Sequence, residues 1–128
     1  MNLKEYFETK TGTGVLSTAD SDGTVNTAIY SKPHVVEDGS VAFIMRERLT
    51  YSNLQSTDSA AYLFIESGGG YSGTRLLLKK TEESVDEALI KKMTRRSLSE
   101  KEDKDKGPKH LVYFRVEKTL PLIGAGEE

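Results

Sequence analysis

Residues 14–29 read GVLSTADSDGTVNTAI, and this stretch decides the fold. Val15–Ala19 has strand composition, Asp20-Ser21-Asp22-Gly23 has turn composition, and β-branched residues resume at once. Asp-Gly supplies the positive φ that a tight hairpin turn needs, so the two runs are expected to pair antiparallel. The second run is expected to stay extended from Thr24 to Val36 through Val25, Thr27, Ile29, Val35 and Val36. Pro33 interrupts it and implies a bend or an unpaired edge, because proline donates no ladder hydrogen bond.

The same signals recur on both sides of the hairpin. Upstream, Leu3, Tyr6 and Phe7 have the i, i+3, i+4 spacing of a short amphipathic helix, which Thr11-Gly12-Thr13-Gly14 ends. Downstream, Asp38-Gly39 makes a second hairpin turn into a strand at Val41–Met45. Arg48 to Ser56 is expected to be a short helix with Thr50 as its N-cap. Ala60–Glu66 is a fourth strand, Ser67–Gly73 a glycine-rich turn and Thr74–Thr81 a fifth strand. Ser84 and Glu87 have capping-box spacing ahead of a stripe of Val85, Ala88, Leu89 and Met93 that runs to about Arg96. The stripe is expected to be core. Ser97 to Lys109 reads as a charged loop and Leu111–Val116 as the last strand. The apolar tail Leu120–Ile123 is expected to pack across a partner. Six short strands without regular βαβ alternation argue one mainly β domain over 1–128, a small antiparallel barrel with flanking helices.

Composition narrows the function. With 18 Lys and Arg against 20 Asp and Glu the net charge is −2, which gives no global attraction to nucleic acid. There are no cysteines, so disulfide scaffolds, thiolate metal sites and cysteine nucleophiles are excluded. His34 and His110 lack a partner at metal-ligand spacing, and no Gly-x-Ser-x-Gly elbow is present. Apolar runs such as Ala60–Ile65 are too short to span a bilayer, and Met1–Glu5 carries an acid and no apolar signal core. A cytoplasmic protein that binds no membrane is the resulting expectation. Lys91–Arg96 is a basic patch at a helix C-terminus, where the dipole favours cations, so it reads as helix electrostatics.

Several segments, in this order, resemble the FMN-binding split-barrel family, also called pyridoxamine 5'-phosphate oxidase-like. They are Gly14–Ala19, Asp22-Gly23 leading into Val25-Asn26-Thr27, Arg48-Leu49-Thr50-Tyr51-Ser52-Asn53-Leu54 before the strand Ala60–Ile65, and the Gly68–Thr74 loop. The resemblance covers most of the chain. It implies a six-stranded split β-barrel that forms a homodimer with flavin mononucleotide (FMN) in the groove between subunits. It puts Asn26, Thr27 and Ala28 near the flavin ring and ribityl chain, and Arg46, Arg48, Leu49 and Thr50 near the phosphate or ring edge. Asn53 matches the family's Asn-Leu position, and His34 lies on a strand that faces substrate in the family. Many members carry lysine where Thr50 stands, often after arginine where Leu49 stands. Here Arg46, Arg48 or Lys32 is left to supply that charge. The substrate-phosphate arginines of the oxidase itself are not found.

Read as chemistry, the segment suits a phosphate. A helix N-terminus offers free N–H groups and about half a positive charge. Thr50 adds a hydroxyl, and Arg46 and Arg48 share one face of an extended stretch. By residue type alone the two arginines read equally as surface charges beside a cap, and Asn26 and Thr27 as a solvated strand face. Tyr71, after Gly68-Gly69-Gly70, is a candidate to stack on an aromatic ring or to belong to a plain hairpin connection. The functional expectation is an FMN-binding redox protein or, if an enzyme, an FMN-dependent oxidoreductase, with its small-molecule substrate or redox partner unknown. The alternatives are a flavin carrier or sensor without turnover, and a split barrel using deazaflavin, haem or nothing. No acid–base pair stands out beside the site, so no catalytic residue is assigned.

Overall fold

A computed structural model of the chain describes residues 2–93 and 107–124. In chain order the elements are α1 (Leu3–Thr9), β1 (Gly12–Ala19), β2 (Val25–Ile29), β3 (His34–Val35), β4 (Val41–Arg46), α2 (Leu49–Ser56), β5 (Ser59–Glu66), β6 (Gly73–Ser84), α3 (Glu87–Met93) and β7 (Lys109–Pro121). All pairings are antiparallel, in the order β2-β1-β5-β6-β7-β4-β3.

The sheet curls on itself. β4 and β5 are separated by β6 and β7, a span of about 14 Å if the sheet were flat. Yet the rings of Phe43 on β4 and Tyr62 on β5 lie 5.0 Å apart, and Phe43 also meets Phe114 edge-on. The interior they fill takes Leu16 from β1, Phe64 from β5, Leu76 and Leu78 from β6 and Val112 from β7, with Phe7 of α1 and Leu54 of α2 as plugs. Alternate residues of β1 are buried, as expected for a strand with one face inward. β4 is buried on both faces because α3 covers its outer side, where Ile90 packs on Ala42 and Leu111. That is why residues 41–45 are apolar without alternation.

The structure has seven strands among the described residues, not six, because the extended run from Thr24 splits. β2 ends at Ile29 and pairs with β1, whereas the two-residue β3 after Pro33 pairs with β4. Gly12 and Gly14 do not only end α1; they belong to β1. A Cβ at Gly14 would collide with the Tyr62 hydroxyl and the Tyr30 carbonyl. The missing side chain lets Tyr62 pass across β1 and donate to the carbonyls of Tyr30 and Ser31, at 3.2 and 3.1 Å. β6 and β7 run well beyond the expected ends, to Ser84 and Pro121, because backbone pairing carries charged residues that have no strand propensity of their own.

Two helix readings change. α2 starts at Leu49 with Arg48, extended at φ −119° and ψ −168°, as its N-cap. Thr50 therefore sits inside the first turn, 4% exposed. α3 is capped by Asp86, whose Oδ1 accepts from Leu89 N–H at 3.0 Å, while Ser84 Oγ accepts from Asp86 N–H. That shift rotates the buried stripe. Ile90 is the buried residue, Leu89 and Met93 pack partly beside it, and Val85 is 64% exposed. The helix end at Arg96, the basic patch beyond Met93 and the charged loop up to residue 106 lie outside the described residues. Among the described residues no helix is long and apolar enough to cross a membrane.

Candidate functional site

A cavity of about 480 Å³ opens between β2, the segment that follows it, the end of β4 and the start of α2, within the size range of small-ligand sites. Its first wall is Asn26, Thr27, Ala28 and Ile29 of β2, continuing through Tyr30, Ser31 and Lys32. The Tyr62 bonds to the Tyr30 and Ser31 carbonyls fix this wall from inside the core. The second wall is Phe43, Ile44, Met45 and Arg46 of β4, with Arg48, Leu49 and Thr50 beyond them; His34, Met93 and Lys109 complete the lining.

The chemistry of the lining is one-sided. Lys32, Arg46, Arg48 and Lys109 bring four cations, and among the described residues no Asp or Glu lines the cavity. Lys109 faces Arg46 across the β4–β7 ladder. Arg46 donates to the Gly107 carbonyl, and Lys32 Nζ to the Lys10 carbonyl at 2.8 Å. Arg48 makes no side-chain hydrogen bond to the α2 backbone, so the helix opens on the cavity without a side-chain cap among the described residues. Burial raises the Tyr30 phenol, while a hydrogen bond with Thr50 and the nearby Arg48 charge pull the other way. The net rise keeps Tyr30 protonated, a donor on the same wall. Ile44, Met45 and Leu49 supply apolar surface.

Eight of the residues singled out from the sequence thus meet at one cavity: Asn26, Thr27, Ala28, Lys32, Arg46, Arg48, Leu49 and Thr50. Asn53 and Tyr71 are not brought there. Asn53 is 3% exposed, and its amide donates to Thr18 Oγ1 at 3.0 Å, strapping α2 to β1. Tyr71 is 80% exposed in the β5–β6 turn, with φ 53°. His34 does line the cavity, and it also borders a second cavity of about 430 Å³ under α1. Lys109, Tyr30 and the inward residues of β4 escaped the sequence reading. Only strand register brings Lys109 opposite Arg46, and local sequence carries no trace of it.

No protein-family model matches the sequence, and no curated protein does. Solved structures do match the fold, which is that of the split-barrel proteins. An FMN-binding protein from Syntrophomonas wolfei subsp. wolfei superposes with a TM-score of 0.77 at 18% identity, over 96% of this chain and 85% of that one. An F420 reductase gives 0.71 at 16% identity, over 90% and 94% of the two chains. HupZ from Group A Streptococcus gives 0.72 at 16% identity, over 96% and 93%. At such identities the likeness is one of fold.

Proposed function

We propose that this chain binds FMN in the cavity, with the phosphate at Arg48 and the start of α2 and the ring system along β2. The observation that carries this reading is the lining itself. Four cations and an uncapped helix start surround a pocket with no carboxylate among the described residues, which is the donor set a phosphate dianion requires. Asn26 and Thr27 are small and polar and allow close approach, while Ile44 and Leu49 offer apolar contact to a ring. A resident flavin would supply the electron chemistry; the protein's part is to bind it, orient it and exclude water. The reading is of a redox protein or FMN-dependent oxidoreductase, with its substrate open.

The bound state is a homodimer. β2 is an edge strand, and Val25 and Ile29 on its outward face are 66% and 73% exposed, with Leu49 at the start of α2 also exposed. A second copy over this face would bury these side chains and close the cavity's open side. A deazaflavin is the second reading. It is favoured by the count of cations, since Lys109 and Lys32 add positive charge beyond what one phosphate needs.

The test is a fluorescence titration with FMN, riboflavin and F420, run alongside light scattering. Saturable binding of FMN by a dimer, tighter than riboflavin, supports the proposal. Preference for F420 selects the deazaflavin reading. Absence of saturation with all three removes the flavin-type cofactor and leaves the fold untouched.

A further inference from the structure

Arg46 and Arg48 line the cavity, but the residue between them does not. Glu47 reaches the other way, and its Oε2 lies 2.7 Å from His110 Nε2. A carboxylate only accepts, so Nε2 must carry the proton of this contact. His110 stands near the start of β7, opposite Met45, and is 7% exposed. Its ring is itself fixed. Tyr51 of α2 stacks on it at 4.2 Å and 24°, and its Nδ1 is buried 3.9 Å from Glu83 Oε1 with no hydrogen-bond partner among the described residues. The Glu83 carboxylate is held in turn by Tyr51 at 2.6 Å, Gln55 at 3.1 Å and Lys80 at 3.3 Å. Glu47 is therefore a half-exposed side chain gripping a rigid, buried anchor.

From this we infer that Glu47 and His110 are positioning residues for the anion site. Through their hydrogen bond they fasten the β4–α2 junction to β7, and so set where Arg46, Arg48 and the first N–H groups of α2 meet a phosphate. The inference rests on the cavity being an anion site, as proposed above. Its force comes from a conflict of signs. As a mere charge, Glu47 next to two arginines repels an anion, so removing it should tighten binding. As an anchor, Glu47 orients the two cations, so removing it should loosen binding. Groups that orient metal-ligating side chains typically change affinity by tenfold or more, and the same scale is expected for this anchor.

Glu47→Ala and Glu47→Gln separate the two, and Glu47 is exposed enough for both to fold. Gln keeps an acceptor for His110 Nε2–H and loses the charge. In titrations with FMN and riboflavin, Glu47→Ala should lose about tenfold in FMN affinity, with riboflavin and the Gln variant's FMN affinity within about twofold of wild type. Equal or tighter FMN binding by the Ala variant overturns the inference. So does a loss shared equally by FMN and riboflavin, which would mark a general structural defect. If wild type binds no FMN, the flavin reading falls by itself. The same three proteins are then titrated with inorganic phosphate, where a loss confined to the Ala variant supports the anchor and no binding by wild type overturns both readings.

Discussion

On one side of the β4–α2 junction, Arg46 and Arg48 line a cavity with Lys32 and Lys109, and no carboxylate among the described residues joins them. On the other side, Glu47 meets His110, while Tyr51, Gln55 and Lys80 all give hydrogen bonds to Glu83. Both regions are dense in charge and both touch α2. In the second, each carboxylate has donors inside the fold, so its charges hold helix to sheet. In the first, cations line open volume. Charge density alone does not mark a binding site; the proposed anion site rests on charge of one sign facing a cavity.

The largest expected effect tests whether the cavity wall is held from within. Gly14→Ala forces Tyr62 off its path across β1 and should cost about 3 kcal/mol of folding stability, at the upper end for overpacking. Chemical denaturation measures it, and a loss under half that would mean the Tyr30–Ser31 wall is not set by Tyr62.

The comparison itself is broken or kept by two matched variants. Glu83→Ala strips the acceptor from Tyr51, Gln55 and Lys80, and should cost about 2 kcal/mol of stability while changing the ratio of FMN to riboflavin affinity far less than Arg48→Ala does, because Glu47 still holds His110. Arg48→Ala should do the reverse. It should lose about 2 kcal/mol of FMN binding, as for a charged hydrogen bond, with stability within about 0.5 kcal/mol of wild type. If the two variants show the same profile, the division between a structural and a ligand-facing region is wrong.

The smallest effect is in pH. The hydrogen bond to Glu83, then burial and the Glu83 and Glu47 charges, push the Tyr51 phenol up to about 12. A phenol whose proton is held more tightly when folded contributes stability that is complete below its ordinary value of about 10 and is lost as pH rises toward 12. At the acid end, burial would raise Glu83, but its hydrogen bonds from Tyr51, Gln55 and Lys80 outweigh that and lower it. Its contribution is present above the ordinary carboxylate range and lost as pH falls through the depressed value. The melting-temperature gap between wild type and Tyr51→Phe should therefore be constant near neutrality and close between pH 10 and 12. A gap that stays constant to pH 12 would show that folding does not hold the Tyr51 phenol proton more tightly.

The hairpin around Asp22-Gly23, the strands near Val41 and Ala60 and the short helix after Arg48 were legible because their causes are local: turn chemistry, β-branching and apolar runs. The cation pair Arg46 and Arg48 was legible too, since their spacing alone puts both on one face of an extended segment. What was misread has non-local causes. The strand split after Ile29 depends on which neighbour each half finds, and the buried stripe of α3 turns on a cap at Asp86 that competes with Ser84. Asn53, singled out for its place in an Asn-Leu pair, straps α2 to Thr18, a contact that no local pattern encodes.

The sequence by itself determined a mainly antiparallel β fold with basic residues beside a helix start, because propensity and charge are written residue by residue. Only the tertiary structure decided that Lys109 joins Arg46, that Tyr62 braces the wall beside β2, and that Glu47 turns away to His110. Those contacts follow from strand register and sheet curvature, which bring together residues up to 63 positions apart in the chain. No local pattern encodes them.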